Sequence, residues 1–209
     1  MSVSGTASVD RVHELTLPIE TARLTLRPFT KADFEDAFAY LSRADVSRYL
    51  YWEPATREGF SETLERKVAR TTLAPGGGGL NLAVVPRDVG RVVGDVSLWW
   101  QSEVHRSAEI GFVFHPDHQG RGYARESTEA LLGLAFAELG VPRVTGRLDA
   151  RNIASAGLLE RLGMRREAHL VENEWVKGEW TDELVYAVLD REWAGSDHSS
   201  VRTSSSPSA

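Results

Sequence analysis

Across Gln119-Gly120-Arg121-Gly122-Tyr123-Ala124 the hydrophobic pattern of the chain changes its period from that of a strand to that of a helix. Before this segment, residues 107–114 form a short apolar run of strand length, closed by His115-Pro116-Asp117-His118, where the proline removes a ladder donor. After it, Ala130, Leu131, Leu134, Ala135 and Leu139 recur at helical spacing, and Gly140 supplies the stop. A strand that turns through two glycines into an amphipathic helix needs a sheet beneath the helix. The unit therefore predicts a layered α/β or α+β arrangement.

The rest of the chain agrees. Residues 22–29 alternate polar and apolar as a strand, with Thr30 and Asp33 as a capping-box-like pair before Phe34, Ala37, Phe38 and Leu41 on one helical stripe. A second helix is expected over 56–73, followed by a glycine run at 76–79 that reads as a linker. Residues 80–85 and 91–100 predict antiparallel strands around the hairpin punctuation Pro86-Arg87-Asp88-Val89-Gly90. Strand 143–149, a helix from Asn152 or Ser155 to Gly163, and strands 164–176 and 179–189 complete the order β-α-α-β-β-β-α-β-α-β-β. One domain over 19–193 is expected, between a partly flexible extension 1–18 and a Ser-rich disordered tail 194–209.

Composition removes several function classes. With no cysteine among 209 residues there is neither a disulfide framework nor a thiolate nucleophile. The N-terminus lacks the basic and apolar regions of a secretory signal, and no apolar run reaches the roughly 18 residues of a membrane span, so a cytoplasmic protein is expected. A net charge of -6 argues against nucleic acid as a partner. Locally the balance reverses: eight arginines face five acids between Gln119 and Arg166, which favours a polyanionic ligand there or simply solvated helix faces. The pair His115 and His118 lacks a third ligand at metal spacing, so no metal is expected.

The turn itself is suited to an anion. Free N–H groups and the positive end of the helix dipole converge where a helix starts, and Gly120 and Gly122 keep side chains out of the way. Its spacing matches neither the Walker loop nor the three-glycine dinucleotide fingerprint, and a ligand-free tight turn remains open.

Gln119-x-x-Gly122-x-Ala124 after a strand resembles the pyrophosphate-binding motif of the GCN5-related N-acetyltransferase superfamily. Four further phrases, in order, resemble its ribosomal-protein alanine acetyltransferase branch: 21–29 (TARLTLRPF), 108–112 (AEIGF), Asn152-Ile153-Ala154-Ser155 with Leu162-Gly163-Met164, and Lys177-Gly178-Glu179-Trp180 before Asp182. The resemblance implies a mixed, mostly antiparallel sheet flanked by helices and splayed between two parallel neighbours, strands 107–114 and 143–149. It implies acetyl-CoA in that splay as acyl donor, with Gln119, Gly120, Arg121, Gly122, Tyr123 and Ala124 on the pyrophosphate. Asn152 would bond the cofactor arm, an N–H around Val113 would polarise the thioester carbonyl, and Ser155 would lie near the sulfur.

The attacking amine must be neutral. An α-amine of pKa about 8 is roughly a tenth neutral at pH 7, whereas a lysine amine near ~10.4 is far less so and needs more of a base. Glu109 is the candidate base, as a carboxylate beside an apolar wall. Relatives that carry a tyrosine acid in the helix after the Asn motif differ from this chain, where that turn reads Leu158-Leu159-Glu160; Ser155 is then the candidate donor to the leaving thiolate. Trp52 and Trp175, large apolar groups in polar or loop-like contexts, are candidate acceptor walls. The acceptor is a primary amine of a protein terminus or a small molecule, the assembly is open to a homodimer, and the competing reading is an acyl-CoA-binding regulator without catalysis.

Overall fold

The computed structural model describes residues 15–73 and 78–193; Gly76 and Gly77 of the glycine run, residues 1–14 of the extension and the tail 194–209 lie outside the described residues. One nine-stranded sheet organises the rest: β1 (Ile19–Glu20), β2 (Leu24–Pro28), β3 (Thr71–Thr72), β4 (Gly79–Pro86), β5 (Gly94–Ser102), β6 (Ser107–Phe114), β7 (Arg143–Asp149), β8 (Arg165–Val176) and β9 (Glu179–Leu189). The strands lie in the order β1-β2-β4-β5-β6-β7-β9-β8, with β3 also on β4. Every pairing is antiparallel except β6 with β7, as expected.

Helices α4 (Tyr123–Ala137) and α5 (Ile153–Arg161) cover one face and bury the larger core, including Leu131, Leu134, Leu158 and Leu159 against Leu82, Val96, Ile110 and Val144. Helices α1 (Phe34–Leu41) and α3 (Arg57–Ala69) bury a smaller cluster around Phe29, Tyr40, Phe60 and Leu64 on the other face. A short α2 (Ala44–Ser47) and the loop 48–56 join these two, and α6 (Asp190–Trp193) ends the described chain. Among the described residues no helix is long and apolar enough to cross a membrane.

Local expectations shift at boundaries for identifiable reasons. The Thr30–Asp33 capping box forms, but it closes a 3-10 turn at Lys31–Asp33 before α1 begins. Thr56 caps α3 by accepting the Gly59 N–H at 3.3 Å, yet the helix ends at Ala69, because the β-branched Thr71 and Thr72 pair with Leu80 and Gly79. β5 starts at Gly94 instead of residue 91, since the Val92 N–H goes to the Asp36 carboxylate at 3.0 Å and not into the ladder.

Candidate active site

The two parallel strands stay together for three residues only: Ser107 with Arg143, Ala108 with Val144, Glu109 with Thr145. Beyond Glu109, β6 continues along β5 and β7 continues along β9, so the sheet opens between them. Two cavities occupy this opening, about 830 Å³ and 600 Å³, and both are bordered by Tyr49, Phe112, Val113, Asn152 and Ser155. The smaller reaches Gln119, Gly120, Gly122, Tyr123 and Ala124; the larger reaches Glu109, Arg147, Trp52 and Trp99. A linear ligand lying through the shared border would therefore have one end on the glycine turn and the other beside Glu109.

Backbone polarity along β6 follows from three contacts. The Ala108 carbonyl accepts from Thr145 Oγ1 of β7 at 3.2 Å, the Phe114 carbonyl accepts from Gln119 Nε2 at 3.4 Å, and the His115 N–H donates to the Val93 carbonyl at 2.9 Å. Groups alternate sides along a strand, so even-numbered residues face the opening and odd-numbered ones face β5. The N–H of Val113 itself is thus turned to β5, and the open donor next to it belongs to Phe112.

The glycine turn is shaped for free donors. Gly120 and Gly122 have φ of 73° and 82°, the left-handed region that glycine enters without steric cost. Gly122 is the N-cap of α4 and has no side chain to occupy the first-turn N–H groups. One expected donor is spent, however: the Gln119 N–H closes the 3-10 turn Pro116–His118 on the Pro116 carbonyl at 3.1 Å, so the run of free N–H groups begins at Gly120. Arg121 is exposed and does not border either cavity, while Arg125 is paired with Glu129 at 2.7 Å. His115 Nδ1 accepts the Asp117 N–H at 3.2 Å and so belongs to the turn.

A brace behind the turn was not foreseen from the residues. Glu126, in the first turn of α4, accepts from Thr21 Oγ1 at 2.6 Å, the Arg23 N–H at 2.8 Å and Arg23 Nε at 2.7 Å, while Arg23 Nη1 donates to the Arg121 carbonyl at 2.9 Å. These contacts hold the Glu126 carboxyl below its usual range despite its burial. An acid in the first helical turn was the available signal.

Asn152 and Ser155 come together at the shared border. Asn152, not Ser155, caps α5: its Oδ1 accepts the Ser155 N–H at 3.1 Å, which leaves its amide NH2 for a ligand. Glu109 is half-buried, and burial, reinforced by the charge of Glu183 and opposed by Arg147, pushes its carboxyl up from the ordinary value. Arg147 is held elsewhere, donating through Nε and Nη2 to Glu183 at 2.7 and 2.5 Å. Glu183, 1% exposed, also accepts from Tyr51 Oη at 3.3 Å and Asn173 Nδ2 at 2.8 Å.

A second buried group borders the larger cavity: the Asp95 carboxylate accepts from Tyr40 Oη at 2.7 Å, Lys67 Nζ at 2.9 Å and Asn81 Nδ2 at 3.1 Å. Neither network was read from the sequence, although polar residues inside the apolar runs of β4 and β5, Asn81 and Asp95, marked one of them. Trp52 borders the larger cavity. Trp175 does not; it stands on β8 in edge-to-face contact with Trp180, their centroids 5.4 Å apart.

The chain matches the family model described as an acetyltransferase (GNAT) domain over residues 23–165. It is 30% identical to the N-acetyltransferase YnaD of Bacillus subtilis over 84% of this chain and 98% of that one, and 26% identical to the spermidine N(1)-acetyltransferase of Vibrio cholerae over 77% and 90%. Among solved structures it is similar to a GNAT-family acetyltransferase from Bacillus anthracis, with TM-score 0.74, 28% identity, and coverage of 83% of this chain and 98% of that one. With the parted β6–β7 pair and the glycine turn at its mouth, these matches make the chain a member of the GNAT acetyltransferase family, an N-acetyltransferase.

Proposed function

We propose that the chain, as one domain over residues 19–193, moves the acetyl group of acetyl-CoA to a primary amine by direct attack, in the cytoplasm and without nucleic acid or membrane as partner. One observation carries this reading: the opening that begins after Glu109 and Thr145 joins a cavity lined by free backbone donors to one lined by a raised carboxylate, and they meet at Val113, Asn152 and Ser155. The residues suit the donor molecule. N–H groups from Gly120 to Ala124, that of Arg121 among them, take the pyrophosphate, with Gln119 beside them, and a residue larger than glycine at 122 would crowd Arg23 Nη2, 3.1 Å from its Cβ position. The Asn152 amide takes the pantetheine arm, and the Phe112 N–H beside Val113 faces the thioester carbonyl oxygen.

In the transfer, Glu109 accepts a proton from the acceptor ammonium, directly or through water. The freed lone pair forms the C–N bond, and as the C–S bond breaks the CoA sulfur leaves as thiolate while the second proton of the adduct nitrogen passes to that sulfur or to water. Ser155 donates a hydrogen bond to that sulfur, whose low basicity requires little more. Trp52 forms part of the acceptor wall, whereas Trp175 stands away from it. A relative named for spermidine supports an amine acceptor, either a small molecule or a protein terminus.

The test is release of free CoA thiol by the purified chain with acetyl-CoA and a broad panel of amines. Amine-dependent release is expected. Tight acetyl-CoA binding with no release from any amine would sink the transfer reaction and leave an acyl-CoA-binding regulator.

A further inference from the structure

The walls of the larger cavity narrow the acceptor, and the narrowing rests on the proposal that this cavity is where the amine binds. An acceptor with several ammonium groups needs an unspent carboxylate for each one it buries, since a desolvated charge without a partner is costly. Asp95, 3% exposed, already serves Tyr40, Lys67 and Asn81. Glu109 stands at the reacting end. On the lining Lys67 answers Asp95, and Arg147 answers the buried Glu183 behind it, which leaves Arg70 against Glu103 and Glu109, so the cavity and its backing carry one surplus negative charge, enough for one ammonium and not for several.

What the cavity does offer is aromatic surface. Tyr51, Trp52 and Trp99 are 55%, 47% and 37% exposed, and all three border it. Large rings exposed together at one cavity suit an apolar occupant. Trp99 is the cross-strand partner of Glu109, and its ring lies against Gly111, where a Cβ would come within 2.8 Å of Cη2. A ring face accepts an ammonium through its quadrupole and an apolar group through contact, so an amine can lose its proton to Glu109 without leaving the wall. We propose that the acceptor is a primary monoamine on an aromatic or branched apolar body, with no second positive charge. A small arylalkylamine and a peptide with an apolar first residue share this chemistry.

The experiment compares kcat/KM for phenethylamine, phenylalaninamide, a tetrapeptide beginning with Phe, and spermidine, and measures phenethylamine binding to the protein–CoA complex by calorimetry. The aromatic amines should exceed spermidine by about tenfold or more, as one good aromatic contact allows. Trp99→Leu should erase that preference, and so should Gly111→Ala, which displaces the ring while keeping it. A higher rate with the tetrapeptide than with phenylalaninamide supports the class with a protein terminus as its source; the reverse supports it with a small amine. Spermidine turned over as well as the aromatic amines, or a preference that survives both substitutions, would overturn the inference while leaving acetyl transfer intact. Phenethylamine binding that depends on Trp99, with no CoA released from any amine, would uphold this wall and remove the transfer reaction instead.

Discussion

The two ends of the cleft are made of different material. At the glycine turn the groups on offer are backbone N–H donors from neighbouring residues, freed by a left-handed Gly122 and braced by Arg23 and Glu126. At the other end they are side chains from β5, β6, β7 and the loop 48–56, tied to a buried carboxylate of β9. A backbone site tolerates almost any residue that permits its conformation, so its substitutions act through geometry. A side-chain site depends on the charge and shape of each member, so its substitutions act on chemistry and acceptor choice.

Glu109→Gln should break this contrast most severely. It keeps the shape of the acceptor end and removes its base, so kcat should fall about 100-fold, the usual worth of a positioned general base, with the acetyl-CoA KM unchanged. The sign of the pH dependence follows from the raised carboxyl: the base is active only when ionised, so the wild-type kcat should climb through a pH range above the ordinary carboxylate value, and the variant should lack that climb. A climb retained in the variant would assign the base elsewhere. The second effect is smaller and opposite in kind. Gly122→Val forces a β-branched residue to φ 82° and crowds Arg23 Nη2, so the acetyl-CoA KM should rise about tenfold while the acceptor KM stays put. An unchanged acetyl-CoA KM would remove the turn from the donor site.

The same difference in material decides what could be read from the residues. The backbone end was legible because its donors are consecutive: 119–124 named the place, and the structure moved its first free donor by one residue, since Gln119 spends its N–H on Pro116. The splayed parallel pair came from the resemblance to the acetyltransferase superfamily and not from the element order, which gave only the layered class. At the larger cavity, the residues singled out from the sequence that border it are Glu109, Val113, Asn152, Ser155 and Trp52. Nothing local distinguishes Trp99, half of a Trp-Trp pair in an apolar run, because the place of its ring depends on the missing side chain of Gly111 on the next strand, twelve residues away. Trp175 passed for a wall because its loop-like context resembled that of Trp52, whereas the sheet carries it to the edge strand β8. Glu183 and Arg147 meet only through the β7–β9 register, which no local pattern encodes.

That last pair yields the mildest test. Glu183 carries two charges' worth of consequence for Glu109: its own negative charge raises the Glu109 carboxyl, and by holding Arg147 it keeps a guanidinium from lowering it further. Glu183→Gln removes the first effect and loosens the second. Both changes favour ionised Glu109, so the acid side of the kcat profile should move to lower pH. Because Tyr51 exchanges a charged acceptor for a neutral one in the same step, the acceptor KM should rise a few-fold, about the worth of one ordinary hydrogen bond. Tyr51→Phe separates the two, since it removes only the hydroxyl and should raise the acceptor KM without moving the pH profile. If Glu183→Gln left the profile in place while Glu109→Gln abolished it, Glu109 would stand as the base and the buried pair would be a brace alone, making the acceptor end as much a matter of scaffold as the turn opposite it.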